Sequence, residues 1–246
     1  MGKKYAEPPV IEAVCEFKLP ADSEWDLTIP GLIYERVSAE FPHKEQHLVQ
    51  EVNMKQSSEG TQHQIHTSER AVFLSDDRKA FLQMGPHLLA VNCLKPYPSW
   101  VGFKPRIENA FRALTNTVRF ETLQRIGLRY INRIEIPSQS LDLDEYFEFR
   151  PFLGENLPQD MANFIVGCML PFNERRDCCK VQLTNVVPEE PGDTAFLLDL
   201  DYFLVRPQAI PVNGALEWVE QAHEQVETLF EGCISARLRE RFEEVK

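Results

Sequence analysis

Two stretches decide the fold: Val10-Ile11-Glu12-Ala13-Val14-Cys15-Glu16-Phe17-Lys18-Leu19, closed by Pro20, and Arg125-Ile126-Gly127-Leu128-Arg129-Tyr130-Ile131-Asn132-Arg133-Ile134-Glu135-Ile136, closed by Pro137. In the first, Ile11, Ala13, Cys15, Phe17 and Leu19 alternate with Glu12, Val14, Glu16 and Lys18. A period of two is that of a strand with one face on a core and one on solvent. The second stretch alternates in the same way.

The same order of elements follows each stretch. After Pro20, a loop ends at Pro30-Gly31, and a short helix then runs to about Phe41, where Pro42 stops it. Residues 47–54, 62–75 and 80–94 read as strands, separated by Ser57-Ser58-Glu59-Gly60 and Asp76-Asp77-Arg78-Lys79. Gly85-Pro86 predicts a bulge or bend in the third. A helix opened by Pro105 follows, with Ile107, Ala110, Phe111, Leu114 and Val118 along one stripe. After Pro137, residues 142–149 read as a short acidic helix, and 162–171, 178–187 and 195–205 as strands. A final helix from near Asn213 carries Leu216, Val219, Ala222, Val226, Leu229, Phe230 and Cys233 at spacings of three and four.

Landmarks agree between the halves at nearly one offset. Leu19-Pro20 matches Ile136-Pro137, Ala80-Phe81-Leu82 matches Ala195-Phe196-Leu197, and Trp100-Val101 matches Trp218-Val219. The expectation is an α+β protein of two pseudo-symmetric β-α-β-β-β-α repeats, 1–121 and 122–246, forming one compact unit. Its sheet is mainly antiparallel, with helices on one face.

Composition narrows the class. Of 246 residues, 43% are hydrophobic and 26% charged, an ordinary globular mixture. No apolar run approaches the roughly 18 residues of a membrane span. The start of the chain has neither a leucine-rich stretch nor a small-residue cleavage site, which predicts a cytoplasmic protein. The six cysteines include no Cys-x-x-Cys pair, so buried free thiols are expected. The adjacent Cys178 and Cys179 would point to opposite faces of a strand. A net charge of −12 disfavours nucleic acid and anionic membranes.

The candidate site residues are mostly charged. Aligning Pro20 on Pro137 sets Glu12 opposite Arg129, Glu16 opposite Arg133 and Lys18 opposite Glu135, with the sign reversed each time. If the leading strands meet, these residues form an ion-pair ladder or line an anion- or peptide-binding surface. Asp199 and Asp201 leave one face of a strand, either to join the ladder or to serve as a metal-binding or acid–base pair. Tyr97 and Trp100, within Pro96-Tyr97-Pro98-Ser99-Trp100, suit an exposed recognition loop or a hydrophobic staple for the next helix. His43, His47, His63 and His66 cluster in sequence, but without the four convergent ligands of a zinc site. No phosphate loop, Gly-x-Ser-x-Gly or His-Glu-x-x-His is present, so no catalytic residue, metal or cofactor is assigned.

Pro8-Pro9-Val10-Ile11-Glu12-Ala13-Val14, Gly127-Leu128-Arg129-Tyr130-Ile131-Asn132-Arg133-Ile134 and Phe196-Leu197-Leu198-Asp199-Leu200-Asp201 resemble, in order, motifs of a sporadically distributed bacterial family of about this length. The resemblance covers essentially the whole chain. It implies no particular activity, cofactor or catalytic residue. Patchy distribution implies a defence or toxin–antitoxin-like module. The order of elements is also similar to the paired modules of GyrI-like and SOUL-type ligand-binding proteins, which implies a cleft between halves.

Three functions follow as expectations. The first is a non-catalytic protein-binding or regulatory factor, with a partner encoded by a neighbouring gene and homo-oligomerisation left open. The second is a small-ligand-binding module with a pocket between the repeats, lined or floored by Glu12, Glu16, Arg129, Arg133, Asp199 and Asp201. The third is a metal-dependent hydrolase or nuclease using Asp199 and Asp201.

Overall fold

The computed structural model describes residues 4–57, 60–138, 141–159 and 161–245; side chains at 4, 50–57, 60–67, 244 and 245 lie outside the description. In chain order the elements are β1 (Lys4–Tyr5), β2 (Val10–Lys18), α1 (Ile29–Val37), β3 (His43–Ser57), β4 (Gly60–Leu74), β5 (Ala80–Gly85), β6 (Leu88–Leu94), α2 (Ser99–Thr115), β7 (Arg125–Ile136), β8 (Ile165–Phe172), β9 (Asp177–Val186), β10 (Thr194–Leu204), α3 (Ala215–Cys233), α4 (Ala236–Arg241) and β11 (Glu244–Val245). The class is α+β.

One antiparallel nine-stranded sheet runs β3-β4-β5-β6-β2-β7-β10-β9-β8. The two stretches that open the reading, β2 and β7, pair at its centre. Outward from β2 come β6, β5, β4 and β3; outward from β7 come β10, β9 and β8.

Alternation determines which face is covered. Ala13, Cys15 and Phe17 of β2, Ile126, Leu128, Tyr130 and Ile134 of β7, and Phe196, Leu198, Leu200 and Tyr202 of β10 are buried. α2 packs on β6, α3 packs on β7 and β10, and α1 packs on α2. Removing these apolar side chains from water, at roughly 25 cal/mol per Å², holds the helices to that face. The residues between them point to the opposite face.

Four local expectations need correction. Residues 80–94 form the hairpin β5–β6 instead of one bent strand. Pro86 has no N–H for a ladder, and His87 takes φ 56°, so the chain turns back and Gly85 faces Leu88. α2 begins at Ser99, six residues ahead of Pro105, which sits inside the helix. The acidic helix over 142–149 shrinks to one 3₁₀ turn, Leu143–Glu145. Beyond it the buried Phe147 bridges Ile234, and the N–H groups of Glu148 and Phe149 bond the Cys233 carbonyl. That tertiary pairing takes donors a helix would need.

The fourth correction concerns β2. Its pairing with β7 shifts between Val10 and Glu12, leaving Ile11 as a bulge. Val10, not Ile11, is the buried residue at that end. The extra residue reverses the parity, so Val10 and Asn132 face the helices while Glu12 faces away.

Candidate functional site

A cavity of about 320 Å³ opens between the first turn of α2, one face of α3 and the centre of the sheet. Its floor comes from both halves: Val10 of β2, Tyr130 and Asn132 of β7, and Leu200 of β10. Tyr97 and Trp100 wall it on the α2 side. On α3, His223, Val226, Glu227, Phe230 and Glu231 line it, at the i, i+3, i+4, i+7, i+8 spacing of one helical face. Tyr5, Pro8 and Pro9 complete the rim, held where β1 pairs with β11.

The polar groups of this cavity form a chain. The Tyr97 and Tyr130 hydroxyls are 3.1 Å apart, Tyr130 Oη lies 3.1 Å from His223 Nδ1, and His223 Nε2 lies 3.2 Å from Glu227 Oε1. With a neutral imidazole and Glu227 as a carboxylate, one assignment satisfies every member. Nε2–H donates to Glu227, Tyr130 O–H donates to Nδ1, and Tyr97 O–H donates to Tyr130. Burial pushes both phenols well above the ordinary tyrosine value. They are therefore neutral hydrogen-bonding groups, not tyrosinate bases.

The Trp100 ring stacks on His223, centroids 4.0 Å apart and planes 16° from parallel. Its Nε1 donates to Glu220, which also pairs with Lys104 at 2.6 Å. Burial alone would raise the Glu220 carboxyl, but these partners outweigh it and hold the group below the ordinary glutamate value. Tyr5 Oη donates to Glu231 at 2.6 Å, and Arg239 pairs with Glu231 at 2.8 Å.

The six charged candidates stand on the opposite face and none lines this cavity. They do form a ladder, with partners other than those expected from aligning the halves. Arg129 grips Asp199 with two bonds of 2.8 Å, and Arg125 bridges Glu16 at 2.8 Å and Asp201 at 3.3 Å. Arg133 turns to Glu135 of its own strand, and Glu12 accepts from Asn92 at 2.8 Å. Register separates the expected pairs: on β7, Glu12 lies opposite Ile131 and Glu16 opposite Gly127, and Arg129 reaches diagonally across β10 to Asp199. The Asp199 bonds hold the Arg129 guanidinium above its ordinary value. Burial raises the Asp201 carboxyl above its ordinary value, although Arg125 and Arg129 oppose the shift.

Tyr97 and Trp100 are the sequence candidates that reach the cavity. Both are half-buried and pack against Phe103. Both line the cavity beside the start of α2. Sequence reasoning missed His223, whose signal was a histidine on the apolar stripe of the last helix between Val219 and Val226. Attention went instead to His43 and His47, which are exposed, and to His63 and His66, whose side chains lie outside the described residues. Among the described residues no three of His, Cys, Asp and Glu converge to hold a metal. The six cysteines are free, and burial raises the Cys15, Cys179 and Cys233 thiols. Among the described residues no helix is long and apolar enough to cross a membrane. No protein-family model and no curated protein matches the chain.

Proposed function

We propose that the protein is a small-ligand-binding module whose site is the cavity between α2, α3 and strands of both halves. The observation that carries this reading is the cavity's construction. It is an apolar, aromatic-walled space of about 320 Å³ with a few polar groups held in fixed hydrogen bonds at its floor, the usual make-up of a site for a compact organic molecule. The three stretches that resemble the sporadic family also converge here, through Pro8, Pro9 and Val10, Tyr130 and Asn132, and Leu200. Mirrored strand order outward from β2 and β7 supports reading 1–121 and 122–246 as repeats of one unit, with the pocket at their junction.

Titration with the neutral fluorophore N-phenyl-1-naphthylamine tests the site. Emission should rise on binding to the wild-type chain and the rise should vanish in Val226→Phe, which fills the cavity. Binding that Val226→Phe leaves untouched would place the fluorophore elsewhere and remove the reading.

A second observation favours a protein contact as well. Among the described residues strand β8 pairs with β9 alone, and its residues Ile165-Val166-Gly167-Cys168-Met169-Leu170-Pro171-Phe172 carry no charge. Ile165 and Met169 are exposed. The opposite edge, β3, carries Lys44 and Glu45, the usual guard against strand addition. An uncharged edge matches itself in antiparallel register, so the occupant we assign to β8 is a second copy of the chain. Light scattering should report a dimer at tens of micromolar protein and a monomer for Met169→Lys. A monomeric wild-type chain would remove this contact.

A further inference from the structure

Resting on the pocket reading above, we propose that the ligand is an organic cation: an ammonium group carried on a small apolar body. Three observations lead there. The first is charge. Among the described residues, the charged side chains that line the cavity are Glu227 and Glu231. Arg239 pairs with Glu231 at 2.8 Å, whereas the ion-pair partner of Glu227 among the described residues is the imidazole of His223 at 3.2 Å. The opposing positive feature is the start of α2, where Ser99, Trp100 and Val101 line the cavity and no side chain caps the helix. A helix N-terminus is worth about half a unit charge, less than the full charge of Glu227.

The second observation is the hydrogen-bond balance. Around the floor, Tyr130 sits between Tyr97 and His223, His223 faces Glu227, Asn132 donates one N–H to the Leu198 carbonyl and Tyr5 donates to Glu231. The second oxygen of Glu227 keeps acceptor capacity beside the cavity. A carboxylate or phosphate would bring more acceptors. An ammonium brings donors for the free oxygen of Glu227.

The third is the wall. Trp100, Tyr97, Tyr5 and Phe230 surround the same space. Aromatic faces attract a desolvated cation electrostatically, and tryptophan does so most strongly.

Calorimetric titration of the full chain with three probes on closely similar phenylalkyl bodies separates the outcomes. The probes are 2-phenylethylammonium, 2-phenylethanol and 3-phenylpropanoate. The ammonium is expected to bind at least about tenfold tighter than the alcohol, and the carboxylate weakest. Glu227→Gln, which keeps an acceptor for His223 Nε2–H, should cut the advantage of the ammonium over the alcohol to about threefold or less. Alcohol or carboxylate binding as tight as ammonium binding overturns the cation assignment and leaves the pocket standing. So does an ammonium advantage that survives Glu227→Gln. If none of the three binds a wild-type chain whose melting transition shows it folded, the pocket reading falls as well.

Discussion

Arg129 and Tyr130 are neighbours on β7, yet they belong to regions built in opposite ways. On the open face, Arg129 grips Asp199, and Arg125 bridges Glu16 and Asp201, so the carboxylates of Asp199 and Asp201 are answered from within the chain. On the helix face, Tyr130 lies in a hydrogen-bond chain that ends beside an unfilled apolar space. The first region is denser in charge and the second is better placed to bind something. Charged groups that satisfy each other have little left for a ligand. Aromatic rings and a few fixed polar atoms around a cavity leave both area and direction to be used.

The comparison breaks most readily at Arg129. Arg129→Met strips the nearly buried Asp199 of both its bonds and is expected to cost about 2–3 kcal/mol in denaturant unfolding. That is below the cost of breaking a fully buried pair because Arg129 is itself half-exposed. Naphthylamine binding should not change. A loss of binding with unchanged stability would reverse the roles given to the two faces.

A smaller effect is expected at Tyr130. Tyr130→Phe leaves His223 Nδ1 and the Tyr97 hydroxyl without their partner and should cost about 1–2 kcal/mol. Naphthylamine affinity should fall about threefold as the floor loses its fixed geometry. If stability falls while affinity holds, the chain supports the core and has no part in the site.

The smallest effect sharpens the account of the ladder. Asp201 has a folded-state pKa raised above its ordinary value, first by burial and against the pull of Arg125 and Arg129. A raised carboxyl favours the folded state only while protonated, so that contribution is present at low pH and lost as pH rises through the folded value. Asp201→Asn should therefore melt about 1–2 °C higher than wild type near neutral pH. The gap should close below the ordinary carboxylate range, where Asp201 is itself protonated and neutral like asparagine. A variant that melts lower at neutral pH would mean that Asp201 is a net stabilising member of the ladder.

Much of the fold was legible in the sequence. Alternation in 10–19 and 125–136 gave the two central strands, because burying one face of a strand imposes a period of two whatever lies beside it. The stripe of the last helix, the turn at 76–79 and strands β8, β9 and β10 were legible for the same kind of local reason. Other features were set by distant partners. Phe147 and the Cys233 carbonyl turned a predicted helix into a single turn. The matched Trp100 and Trp218 diverge: one stacks on His223 beside the cavity, and the other is buried with its Nε1 on Asp177 at 2.9 Å. The site was half legible. Tyr97 and Trp100 were picked out because aromatics between prolines ask for an explanation, while Tyr130, Asn132 and Leu200 were hidden among ordinary inward-facing strand residues.

The sequence by itself determined which residues face a core and which face water, because hydrophobic periodicity is a local property of helices and strands. It also determined that β2 and β7 carry charges on one face. Only the tertiary structure decided which charges meet, because pairing depends on the register of β7 against β10 and on a one-residue bulge at Ile11. The cavity, too, exists only in three dimensions: its walls come from residues up to 226 positions apart, as Tyr5 and Glu231 are, and no local pattern encodes an empty space between them.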